Sequence, residues 1–156
     1  MAVAQLGLVR RNDLLFALMD SDSHIQTLHQ LVSADRYTEA DRLIRQIRDD
    51  GKEYPELFLY EAICRYEEGN DLECLRLLTE FIRAAPKHVK RDYAVFTAAI
   101  CLFNVGLLEN SVRLPERISS TYPARDDEMQ NLNARLNTRT KASEYAEALE
   151  QALENA

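Results

Sequence analysis

Histidines are the first residues to test for chemistry. His24 and His29 are five positions apart. On a helix that spacing puts them on different sides of a turn, so they do not form a metal-binding pair. His88 stands in a loop with Lys87 and Lys90. Cys64, Cys74 and Cys101 make no CxxC spacing and sit in apolar runs. They read as small buried residues kept reduced, not as a zinc site or disulfide frame. The acidic pairs Asp49-Asp50, Glu67-Glu68 and Asp126-Asp127 fall at predicted helix ends, where charges on a wet surface explain them better than an acid–base dyad. No Cys–His or Ser–His–Asp order has supporting context, and four glycines supply no phosphate-binding loop. The expectation is a protein that is not an enzyme and needs no cofactor and no metal. Arg42, Arg45 and Arg48 share a helix face, but Asp41, Asp49 and Asp50 neighbour them, which reads as a solvated face rather than an RNA site.

The elements that carry these residues are helical. The 156 residues are 46% hydrophobic and 29% charged, enough to bury a core in one domain. Leu and Ala total 40 residues, against 21 for Val, Ile and Thr. Strong helix formers therefore dominate, and few Gly and Pro are present to turn short strands. The net charge of −7 offers no basic footprint for nucleic acid or an anionic membrane. The N-terminal stretch is interrupted by Arg10, Arg11 and Asp13 and lacks a positive leader region, so it does not read as a signal peptide. A cytoplasmic protein with no membrane partner is expected.

Self-comparison exposes an internal repeat. Shifting residues 34–44 by 34 places Asp35 on Gly69, Glu39 on Glu73, Ala40 on Cys74 and Ile44 on Leu78. A further shift of 37 places Gly69 on Gly106, Cys74 on Ser111 and Pro86 on Pro123. Each unit reads as two helices joined by a tight turn. Leu75, Leu78, Phe81 and Ile82 recur at helical spacing and mark one buried face. Pro115 falls inside the second helix of unit 3 and should interrupt it.

The pattern resembles the tetratricopeptide repeat family. The small residues of the first helix fall on Ala62 and Ala99, the turn on Gly69 and Gly106, the small residues of the second helix on Ala40, Cys74 and Ser111, and the closing proline on Pro86 and Pro123. The departures are Val95 and His24 where a large aromatic usually stands, Asp35 at the first turn, and no closing proline in unit 1. The resemblance implies an all-α superhelix of about three helix-turn-helix repeats (21–54, 55–88 and 92–125) with N-terminal and C-terminal capping helices. Residues 126–156 form the C-terminal cap. In them Met129, Leu132 and Leu136 make one stripe and Tyr145, Leu149 and Leu153 another, out of phase, with a new helix capped by Thr140 or Ser143. The plan is also similar to the small acidic chaperones of type III secretion.

The resemblance further implies a concave groove lined by first helices. Its residues here are Ile25, His29 and Val32, then Leu59, Ile63 and Tyr66, then Tyr93, Phe96, Ile100 and Phe103. None is Lys, Arg or Asn, so no grip on a carboxylate is expected. A protein or peptide partner with an apolar or amphipathic segment fits such a lining. The alternative is an assembly subunit whose apolar faces are buried in a homo-oligomer. Residues 93–108 carry no charge, so both faces of that helix need cover. Residues 6–19 are one candidate cover within the chain.

Overall fold

The computed structural model describes residues 21–123 and 125–155. Residues 6–19, expected as a cover for the third repeat, lie outside them. Among the described residues the fold is all-helical, in the order α1 (Ser21–Ser33), α2 (Tyr37–Asp49), α3 (Pro55–Glu67), α4 (Asp71–Ala84), α5 (Arg91–Asn104), α6 (Leu108–Arg113), a 3-10 turn (Leu114–Arg117) and α7 (Arg125–Glu154). None of these helices is long and apolar enough to cross a membrane. The chain forms two compact units, Met1–Ala94 and Val95–Ala156, whose boundary falls within α5.

In the first unit α1 pairs with α2, α3 with α4, and α3 also packs on α1 and α2. The apolar stripes close on each other: Leu28, Ala40, Ile44, Ile47, Leu57, Tyr60 and Cys64 form one buried cluster. Ala40 and Cys74, the matched small positions, are both fully buried. Two ion pairs tie α2 to α3, Asp41 with Arg65 and Arg48 with Glu61, the latter at 2.6 Å. Arg48 is thus a bridging residue and not part of a purely solvated strip.

The hairpin turns at Asp35, Gly69 and Gly106 share one geometry. Each takes a positive φ, of 57°, 78° and 91°. In each, the next residue's N–H returns five residues: Arg36 to Leu31 O, Asn70 to Arg65 O and Leu107 to Leu102 O, all at 2.9 Å. This closes the last helical carbonyls in the left-handed way that favours glycine. Asp35 is held there by the Tyr37 hydroxyl, which donates to its carboxylate at 2.8 Å.

In the second unit, residues 94–99, whose first member belongs to the preceding unit, are buried without a break. Six consecutive buried positions exceed one helical turn, so both faces of the uncharged helix are covered here. The buried Ser111 hydroxyl donates to the Ala99 carbonyl at 2.9 Å, which joins α6 to α5. Pro115 ends α6, and the chain tightens into the 3-10 turn. The expected break at Thr140 or Ser143 is absent: α7 is continuous. It contains neither Gly nor Pro, and the Thr138 and Thr140 hydroxyls donate to the carbonyls of Ala134 and Leu136 four residues back instead of capping a new start.

Candidate functional site

The residues expected to line a groove divide into four groups. Ile25 and His29 lie on α1 at the mouth of a hollow of about 410 Å³, with Gln26, Tyr60 and Lys90 as the other described lining residues. Val32, Ile63, Tyr66, Tyr93 and Ile100 are half-buried. Leu59 and Phe96 are at most 2% exposed and present no surface to a ligand. Phe96 is buried in a helix covered all round and stacks on Tyr122, ring centres 6.0 Å apart. Phe103 belongs to a separate hollow in the second unit, beside α7.

The first hollow has a polar wall that no helical register predicted. Lys90 reaches it from the loop before α5. Its ammonium donates to the Tyr60 hydroxyl at 3.1 Å and lies 3.2 Å from His29 Nδ1. The Tyr60 hydroxyl is itself 3.4 Å from that nitrogen. The ammonium can only donate, so it needs Nδ1 as an acceptor, which places the His29 proton on Nε2. Burial pushes Lys90 below the usual lysine range. Burial, helped by the charge of Glu56, pushes Tyr60 up to about 12. Among the described residues no carboxylate lies within ion-pairing distance of Lys90. The wall therefore combines a desolvated cation, an imidazole N–H and a phenol beside the apolar side chain of Ile25.

His88 positions that cation. Its Nδ1 accepts the Lys90 backbone N–H at 3.0 Å, which leaves Nε2–H to donate to Glu56 at 3.1 Å. Its ring and that of Phe81 are T-shaped to each other, with centres 5.1 Å apart. A loop that reads as a simple lengthening between repeats is thus pinned to α3 and α4. The signal in the sequence was its composition, with Lys87, His88 and Lys90 in five residues, but nothing local shows which way Lys90 turns.

Among the described residues no group of three His, Cys, Asp or Glu side chains converges as a metal site would require. Compared with protein-family models, with curated proteins and with solved structures, the chain has no match.

Proposed function

We propose that the chain is a non-enzymatic interaction module of tetratricopeptide-like design, which takes an apolar or amphipathic segment of a partner protein on its α1–α3 side. The matched left-handed turns at Asp35, Gly69 and Gly106 and the buried small residues Ala40, Cys74 and Ser111 support the repeat design. The observation that carries the binding reading is Lys90 beside Ile25 in one hollow: a cation that has no counter-ion among the described residues, next to an apolar contact. An incoming helix with a leucine or aromatic anchor one turn from an Asp or Glu satisfies both. Such a ligand gives a carboxylate to an ammonium that has none among the described residues.

Fluorescence anisotropy with labelled amphipathic helical peptides tests this. Acidic peptides are expected to bind saturably, and Lys90→Glu to abolish that binding while the helical circular dichroism stays unchanged. Equal binding of peptides with their acids changed to lysine sinks the proposal, as does binding that survives Lys90→Glu.

A further inference from the structure

The distal part of α7 is unlike every other helix. All residues of 137–155 are exposed, yet Tyr145, Leu149 and Leu153 stand out at 76%, 61% and 67%. At about 100° per residue these three share one arc of the helix with Ala134, Thr138 and Ala142. Those three small residues line a hollow of about 430 Å³ together with Phe103 and the side chains of Arg135 and Arg139. One face of α7 therefore carries protruding large residues at one end and a depression at the other.

We propose that this face pairs with the same face of a second copy of the chain, the two α7 helices running antiparallel about a two-fold axis. The register follows from the spacing. An axis midway between positions 143 and 144 sets Tyr145 opposite Ala142, Leu149 opposite Thr138 and Leu153 opposite Ala134, so every large residue meets a small one. Each hollow is then filled by the partner copy's Leu149 and Leu153, and small residues let the helices approach closely. Charge agrees with this direction. Residues 134–142 hold Arg135, Arg139 and Lys141 and no acid; residues 143–155 hold Glu144, Glu147, Glu150 and Glu154 and no base. Antiparallel pairing lays each basic stretch along the partner copy's acidic one, with Arg139 flanking Glu150. A parallel pair sets like charges and large residues against themselves and leaves both hollows empty.

Light scattering of the full chain across a hundredfold concentration range reads the mass directly. The expected species is twice 17.9 kDa. Leu149→Glu is expected to give a monomer of unchanged helicity, since its exposed side chain contributes nothing to the monomer's core. Arg139→Glu and Glu150→Arg each weaken the dimer by about tenfold, and the double exchange restores it. Direction is read by cross-linking, because Cys64, Cys74 and Cys101 are all buried. Ala142→Cys is about 4.5 Å along the axis from its own copy in this register, and Leu153→Cys about 28 Å. The first should cross-link between copies and the second should not. A monomer at every concentration overturns the proposal. So does a dimer that survives Leu149→Glu, one that cross-links through Leu153→Cys, or one that fails to do so through Ala142→Cys.

Discussion

The Lys90 ammonium donates to the Tyr60 hydroxyl at 3.1 Å and stands 5.3 Å from the centre of its ring. These residues are thirty positions apart and belong to a loop and a helix core. Their meeting places a positive charge on a wall that the repeat pattern describes as apolar.

The first prediction follows from that charge. Lys90 loses hydration without gaining a carboxylate among the described residues, so Lys90→Met should stabilise the chain by about 0.5 kcal/mol or more. Tyr60 and His29 keep each other as partners in the variant. Urea denaturation measures the change, and a loss of stability instead would mean that the ammonium's two hydrogen bonds outweigh its desolvation.

A second prediction concerns the turns. A Cβ at Gly69 meets nothing within 4 Å, so the cost of Gly69→Ala is that of the backbone alone at φ 78°. About 1 kcal/mol is expected. Gly106→Ala, also with open space at φ 91°, should cost the same. Incorporation of D-alanine at either site should restore stability, and thermal unfolding of the two epimers gives the comparison.

The α2–α3 ion pairs give a third. Asp41 and Arg65 side chains are 17% and 22% exposed, drier than an ordinary surface pair. A double-mutant cycle of Asp41→Asn and Arg65→Met should return a coupling of about 1–2 kcal/mol, above the range of exposed pairs. The exposed Arg36–Glu39 pair at the start of α2 is the control, with little coupling expected.

Alkaline pH gives the fourth. Burial pushes the Cys64 thiol from 9.0 up to about 12 and the Tyr60 phenol from 10.0 up to about 12. Both folded-state values are raised, so between pH 9 and 12 the unfolded chain releases protons that the folded chain retains. Stability is full below pH 9 and falls as pH rises through that window. Lys90 acts in the opposite sense, because its folded value is lowered from 10.5. Cys64→Ala should therefore flatten the loss that begins at pH 9, whatever it does to stability at pH 7. Denaturant midpoints measured from pH 8 to 11 give the slope, and an unchanged slope contradicts the assignment.

Sequence by itself determined the helices and their hairpins. Leu and Ala content, stripes at helical spacing and the turn residues Asp35, Gly69 and Gly106 act through neighbours a few positions away, and those forces are written locally. It also determined the interruption at Pro115, because a missing N–H acts on its own helix. The continuity of α7 was misread from the same text: two apolar stripes out of phase suggested two helices. The structure has one helix whose first stripe includes the buried Leu132 and whose second, Tyr145, Leu149 and Leu153, is exposed. A change of phase marks a change of surroundings as readily as a break.

Only the tertiary structure decided which of the residues expected to line a groove keep a surface. Ile25 and His29 do, while Leu59 and Phe96 are buried, since burial depends on what packs from distant parts of the chain. It alone brought Lys90 to Tyr60 and His29, through a loop direction set by His88, Glu56 and Phe81. Helical periodicity orders residues along one element. It carries no information about a side chain that arrives from another.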